Sequence, residues 1–328
     1  MLAICPLPTE PTPVDESPAP AGVMLANGRM TSLAGLSAAA LRELQWEQEQ
    51  KFAEAIPAFL ARSPERAMII GQAYDTISTI LAHLEVAESQ AASAADAPLV
   101  MGFAPKYAKL VLKLLKRQEA CGELQPRLFE IGYGSGVLLK EVREFGFEVG
   151  GIEISAVMGQ RARRLLGPRH GEGLLVGEFL KLQPSDLPGP PTLIYWNDVL
   201  EHVPVDEAAD YLAHIRGLLA PQGQLVTITP NWLLRPSDVT CEFCPPRTTA
   251  RGLHLKEYRL SEVARLLKRA GFRRVSTPVA VTRSRVLMCG GGGRMVKQLI
   301  EPLVDWLPVS TARLLCRGFG MSCTIASK

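Results

Sequence analysis

The stretch Leu128-Phe-Glu-Ile-Gly-Tyr-Gly-Ser-Gly136 decides how this chain is read. A short apolar run enters an acid, Glu130, and then glycines at alternate positions: Gly132, Gly134 and Gly136, with Tyr133 between the first two. Val137 to Arg143 reads as the opening of a helix. Strand, glycine turn and helix in this order bring backbone close to a nucleotide-like ligand. Glycine suits the turn because it accepts positive φ and puts no Cβ against the ligand.

Beyond Glu123 the pattern is strand–helix alternation. Candidate strands are Arg127–Ile131, Glu148–Ile152, Leu174–Val176, Thr192–Trp196 and Gln224–Thr229, with helices at 136–144, 155–166, 205–219 and 260–270. Alternation of this kind argues for an α/β fold with a parallel sheet covered on both faces. Two late strands, about Arg273–Thr282 and Met321–Ala326, flank a helical insert near 294–318 and close the sheet as a hairpin-like edge. Upstream, residues 1–36 form an expected disordered tail, Pro/Ala-rich over 1–31. Residues 37–120 read as a helical region: Ser37 to Arg62, divided at Pro57; Ser63 to Glu88, with Ser63 as N-cap and Pro64 at the first position; and Pro105 to Glu119. Residues 89–98 read as a polar linker.

Strand ends in an open parallel sheet are where ligands bind. Here they carry Glu153 after the second strand, Gly177-Glu178-Phe179 after the third and Asn197-Asp198 after the fourth. A dinucleotide fingerprint would place its third glycine at Val137, not Gly136, and no second mononucleotide half is visible, so the spacing disfavours nicotinamide cofactors.

Taken together, Phe129–Gly136, Gly151-Ile-Glu-Ile-Ser155, Asn197-Asp-Val-Leu-Glu-His202, Leu219-Ala-Pro-Gln-Gly-Gln-Leu225, Thr229-Pro-Asn231, His254-Leu-Lys-Glu-Tyr258 and Ala270-Gly-Phe272 resemble a class I S-adenosylmethionine-dependent methyltransferase. The chain is similar to the subgroup holding the ubiquinone-biosynthesis O-methyltransferases and many small-molecule methyltransferases. The resemblance implies a Rossmann-like seven-stranded sheet with the last strand antiparallel, spanning 121–328, and S-adenosylmethionine as cofactor. It assigns Glu130, Gly132, Tyr133, Gly134 and Gly136 to the methionine part. Glu153 is assigned to the ribose hydroxyls, Ile154 to the adenine face, Glu178 to the adenine amino group and Phe179 to the ring. Asn197 and the following backbone, through Asp198 and Val199, lie near the sulfonium. Gln222 departs from the family's usual glycine. The region 37–120 becomes a cap that shapes the acceptor pocket.

A hydroxyl acceptor benefits from a general base, and histidine suits that task. His202, after the fourth strand, and His254, on the acceptor side, are the candidates. His83, His170 and His214 read as structural or solvated. Asp198, Glu201, His202 and His254 also admit a divalent-metal reading, similar to that of small-RNA 2′-O-methyltransferases, which is not favoured. Cys241 and Cys244 lack a second pair for zinc. Cys289 and Gly290–Gly293 lack the Lys-Ser/Thr of a phosphate loop and read as a hinge. Arg247 and Arg251 could hold an anionic substrate, Trp232 could wall the pocket, and the other basic residues of 247–274 read as a solvated face.

The expected function is S-adenosylmethionine-dependent methylation of a small secondary-metabolite or quinone-like molecule, O-methylation first. The alternatives are N- or C-methylation, metal-assisted RNA methylation and a non-catalytic binding protein. The net charge of +3 gives no footprint for nucleic acid. No signal segment or apolar run of membrane-spanning length is visible, and seven scattered cysteines suit reduced cytosolic thiols. The expected protein is therefore cytoplasmic, without a membrane partner, and a possible homodimer through the helical N-terminal region.

Overall fold

A computed structural model describes residues 5–6, 22–89, 103–167, 171, 173–288 and 292–328. The first elements are β1 (Cys5–Pro6), β2 (Gly22–Met24), β3 (Met30–Ser32), α1 (Ala38–Ala55), α2 (Pro64–Ser89) and α3 (Pro105–Ala120). The alternating part follows: β4 (Arg127–Ile131), α4 (Val137–Glu144), β5 (Glu148–Glu153), α5 (Ala156–Leu166), β6 (Leu174–Val176), β7 (Leu193–Asn197), α6 (Ala208–Leu218) and β8 (Gln224–Ile228). The C-terminal part holds α7 (Thr240–Phe243), α8 (Leu260–Arg269), β9 (Arg274–Ser276), β10 (Pro278–Val281), β11 (Val286–Met288), α9 (Gly292–Val304), α10 (Val309–Gly318) and β12 (Cys323–Ser327).

The eight-stranded sheet runs β1-β6-β5-β4-β7-β8-β12-β9. β6, β5, β4, β7 and β8 are mutually parallel, and β12 is antiparallel to both its neighbours. Without the two-residue β1 this is the expected Rossmann-like sheet with its last strand reversed. That last strand is not an edge. β12 lies between β8 and β9, and the expected Arg273–Thr282 strand divides, its second half leaving the sheet to pair as β10 with β11. β4 and β7 are buried along nearly their whole length, as apolar runs covered by helices on both faces must be. Trp196 at the centre is fully buried, and its Nε1 donates to Thr227 Oγ1 at 2.7 Å.

Residues 22–36 do not continue the tail. β2 and β3 form an antiparallel hairpin turning at Asn27-Gly28, with Gly28 at φ +79°, and Val23 and Leu33 are buried against α1 and α2. Residues 1–4, 7–21 and the expected linker over 90–98 lie outside the described residues. α1 ends at Ala55, where a one-turn helix containing Pro57 takes over. Ser37 caps α1 by accepting from Ala40 N.

The helices α1 and α2 are fastened over the carboxyl ends of the strands. Buried Arg66 on α2 pairs with Glu207 at 2.8 Å and Asp206 at 2.9 Å. Asp75 on α2 accepts from Ser155 Oγ at 2.6 Å and from Val157 N, at the N-terminus of α5. Glu49 on α1 accepts from Leu253 N at 3.1 Å. These ties set what the strand ends face.

Candidate active site

Beneath that cover lies a cavity of about 460 Å³. Its floor is the strand ends: Gly132, Gly134, Glu153, Ile154, Gly177, Phe179, Asn197, Asp198 and Val199. The roof comes from α2, through Ile70, Tyr74, Ile77 and Leu81, and one wall from Ser237, Asp238, Val239, Leu253 and His254. Four carboxylates line it (Glu49, Glu153, Asp198 and Asp238) with no lysine or arginine among the lining residues. Such a surface suits a cationic ligand and opposes a phosphate.

The glycine turn has a separate reason at each position. Gly132 has φ +69°, and a Cβ there would meet Val199 Cγ2 at 2.6 Å. Gly134 has φ +51° and donates its N–H to Glu153 Oε2 at 2.9 Å. Gly136, at φ +79°, lets α4 close on α5, since its Cβ would strike Leu166 and Ala162.

Glu153 is buried, and its other oxygen accepts from Ile154 N at 2.8 Å and Ser155 N at 3.1 Å. Burial raises its pKa and these backbone donors oppose the rise. A carboxylate offers about four acceptor sites, so three donors leave room for a ligand hydroxyl. Glu130 lines a small adjoining pocket with Phe103, Ala104 and Gly132. Its Oε2 is buried without a hydrogen-bond partner, and burial, then the Glu153 charge, drives its pKa well up. An orphaned acid beside the glycine turn fits the ammonium of an amino-acid ligand.

Two side chains assigned to the cofactor turn away from this cavity. The Tyr133 ring is in the core, where its hydroxyl donates to Leu175 O at 3.0 Å. Glu178 is absent from the cavity lining and pairs with Lys181 at 2.6 Å, one helical turn away. Its neighbour Phe179 does line the cavity, against Tyr211 and His214. Nor do Trp232 and Arg247 face the cavity. Arg235 stacks over Trp232, whose Nε1 donates to Asp305, and Arg247 Nη2 donates to Asp305 O and Leu307 O. Arg251 lines a second cleft instead. Asp198 takes a left-handed φ of +53°, and Asn197 Nδ2 donates to its carboxylate at 3.1 Å. Gln222 likewise has φ +63°, a left-handed backbone that glycine would adopt without strain.

His202 and His254 meet edge to face, with ring centroids 4.7 Å apart. His202 Nδ1 lies 2.9 Å from Leu253 O; a carbonyl only accepts, so Nδ1 carries the proton and Nε2 is the acceptor. Burial, then His254, pushes the His202 pKa down to about 3, leaving the ring neutral. His254 is the opposite. Burial alone would lower its pKa, but the Glu257 hydrogen bond and the charges of Glu201, Asp238 and Glu257 raise it to about 9. Ser237 Oγ gives its single proton to Glu257 at 2.5 Å and faces His254 Nδ1 at 3.2 Å, so it accepts from His254. Glu201 is fully buried; Thr229 Oγ1 donates to it at 2.9 Å, while burial and Asp198 push its pKa up to about 8.

A histidine with a raised folded pKa contributes stability that is complete below its unfolded pKa and lost as pH rises through the folded one. The melting temperature of the wild type is therefore expected to fall between pH 6.5 and about 9. His254→Asn should make that part of the curve shallower in a thermal melt series, leaving the share of Glu201 below about pH 8.

Ligand atoms of Glu201, His202 and His254 lie within 4.8 Å of one another, the sole such cluster among the described residues; Asp198 is not part of it. The imidazolium of His254 would have to lose its proton before binding a metal. His170 lies outside the described residues, as do Cys289, Gly290 and Gly291, while Gly292 and Gly293 open α9 rather than a hinge. His83 Nδ1 bonds the backbone of its own helix.

Sequence reasoning missed the roof and wall. Ile70, Tyr74, Ile77 and Leu81 recur at helical spacing on α2, an apolar stripe that signals a buried face. Glu49 and Asp238 carried no motif.

The geometry defines an acid-lined cleft at the carboxyl ends of an α/β sheet whose last strand is reversed. The family described as methyltransferase domain matches residues 103–277, more than half the chain, and the chain belongs to it. It is an S-adenosylmethionine-dependent methyltransferase. No curated protein matches it. Among solved structures, it is similar to an S-adenosylmethionine-dependent methyltransferase from Archaeoglobus fulgidus, at 18% identity over 67% of this chain and 94% of that one (TM-score 0.42). Magnesium protoporphyrin IX methyltransferase from Synechocystis, with bound S-adenosylhomocysteine, is 20% identical over 55% and 80% (TM-score 0.39). A putative O-methyltransferase from Nostoc punctiforme is 14% identical over 88% and 69% (TM-score 0.46). Among the described residues no helix is long and apolar enough to cross a membrane.

Proposed function

We propose that this methyltransferase methylates a hydroxyl group on a small, largely apolar acceptor held under α1 and α2. The observation that carries the reading is the histidine pair: a neutral His202 with Nε2 free to accept, beside a His254 held as a cation. S-adenosylmethionine supplies an electrophilic methyl group on a sulfonium. Glu130 would hold its amino group, the Gly132–Gly134 backbone its carboxylate end, and Glu153 a ribose hydroxyl. Ile154 and Phe179 offer apolar faces to the adenine. Asp198, beside Asn197, places a carboxylate where the positive sulfur is expected. On the acceptor side, Tyr74, Ile77, Leu81 and Val239 enclose the substrate and exclude water. His202 Nε2 orients the hydroxyl and takes its proton. A base held this far below neutrality accepts the proton late, as the oxygen commits to the new bond.

The test is transfer from methyl-labelled S-adenosylmethionine to a panel of phenols and enols beside the matching amines. Products on oxygen are expected; products confined to nitrogen would contradict the reading. A second reading, metal assistance, rests on the Glu201–His202–His254 cluster. Activity abolished by a chelator and restored by magnesium or manganese would establish it, and full activity in chelator would remove it.

A further inference from the structure

The helices α9 and α10 bury one apolar face, where Val304, Ala312 and Cys316 pack with Leu233 and Met321, and carry a second apolar face outward. On α9 the inward residues include Lys297 and Glu301, both buried and polar. Lys297 Nζ donates to the carbonyls of Pro278 and Phe319, while Glu301 accepts from Asn231 Nδ2 and Leu260 N. The outward face carries Met295, Leu299 and Leu303, at 61%, 76% and 67% exposure, four residues apart on one stripe. Trp306, in the turn between the helices, is 88% exposed, and Leu314 on α10 is 71% exposed. Scattered exposed leucines need no explanation, but an aligned apolar stripe ending in an exposed tryptophan does.

Charge points to what covers this face. Residues 273–328 hold nine Lys or Arg and two acids, a balance of +6 once the buried Lys297 is left out, in a chain whose total is +3. Neither acid is free at the surface. Glu301 is 1% exposed, and Asp305 is held by Arg235 and Arg259 at 3.0 and 2.9 Å. Arg283 and Arg285 are exposed at the turn of the β10–β11 hairpin, which also exposes Leu287 and whose β10 strand meets α10. An apolar helix face with basic flanks and an outward tryptophan is the physical form of an interfacial membrane element.

We propose that the α9–α10 face is a docking surface for an anionic lipid bilayer. Apolar side chains enter the headgroup boundary while the arginines meet lipid phosphates, and no segment spans the membrane. α10 packs on the Trp232–Leu234 turn, and Arg313 Nη2 donates to Leu234 O and Arg235 O. That turn leads into Ser237–Val239, which wall the cavity, so docking sets the acceptor side of the cleft close to the lipid surface.

The experiment is flotation of the full chain with vesicles of phosphatidylcholine alone or mixed with phosphatidylglycerol. Binding is expected to the mixed vesicles, weak to phosphatidylcholine, and reduced by salt. The double variant Leu299→Ser/Trp306→Ser should lose at least about tenfold in vesicle affinity, from the apolar area no longer buried. Its circular dichroism and its affinity for S-adenosylmethionine should match the wild type, which separates a docking defect from misfolding or a failed cofactor site. Three results would overturn the proposal. One is no binding to mixed vesicles; another is equal binding by the variant. The third is a wild-type dimer in light scattering that the variant converts to monomer, since that would make this face an interface between copies of the chain.

Discussion

Replacing Glu153 by alanine is expected to weaken S-adenosylmethionine binding at least about tenfold in calorimetry. A hydrogen bond to a charged group contributes about 1.5–3 kcal/mol, and the one acceptor site that the three backbone donors leave takes one ribose hydroxyl, so about that much is at stake. The carboxylate also organises the site it serves. It accepts from Gly134, Ile154 and Ser155, so its loss leaves three backbone donors at the glycine turn and the start of α5 without their acceptor. The substitution therefore removes a ligand contact and loosens the turn that shapes the pocket. Glu153→Gln separates the two effects, because the amide keeps one acceptor oxygen for the backbone but lacks the charge. Gln should fall between wild type and Ala. An Ala variant with wild-type affinity would show that the ribose lies elsewhere.

The second large effect is expected at His202. His202→Ala should lower kcat by roughly 10²-fold, the low end of the range for a positioned general base because its pKa lies far below neutrality, while affinity for S-adenosylmethionine changes little. The pH profile carries more information than the rate alone. Because His202 is held neutral down to about pH 3, it contributes no acid limb at ordinary pH. His254 contributes on the alkaline side: its cation is lost as pH passes about 9, and activity should decline there. In His254→Gln that alkaline limb should disappear together with part of the rate. Unchanged turnover in both variants would end the assignment of the pair to proton transfer.

The glycine turn and the strand ends were legible because they are matters of order along the chain. Residues at the carboxyl ends of β4, β5, β6 and β7 must share one edge of a parallel sheet, so Gly132, Glu153, Phe179 and Asn197 arrive together whatever their side chains do. Direction was not legible in the same way. Glu178 is the acid that the sequence resemblance assigns to the adenine, yet Lys181 one turn later offers a local partner and the acid takes it. Tyr133 lies between two ligand-side glycines, but its ring is large and apolar enough for the core to claim it. Trp232 and Arg247 looked suited to the acceptor mouth; Asp305, more than fifty residues downstream, holds both against α9 and α10. One misreading was avoidable. Asn27-Gly28 between Val23-Met24-Leu25 and Met30-Thr31 is a strong hairpin signal, and it ends the tail well before Ser37.

The roof shows why substrate choice is harder to read than cofactor choice. Ile70, Tyr74, Ile77 and Leu81 meet the cleft only because Arg66, Asp75 and Glu49 fasten α1 and α2 over the strand ends. Those partners are up to about two hundred residues apart in the chain, and no local pattern connects them.

The central claim is that one cleft holds the cofactor across Glu130, Gly132 and Glu153 with its reacting end toward His202. A crystal structure of the protein with S-adenosylhomocysteine tests it most directly. The account predicts a ribose hydroxyl bonded to Glu153, the amino group at Glu130, and the sulfur facing His202 across Asn197 and Asp198. A ligand whose ribose avoids Glu153, or whose sulfur points away from the histidine pair, would contradict it.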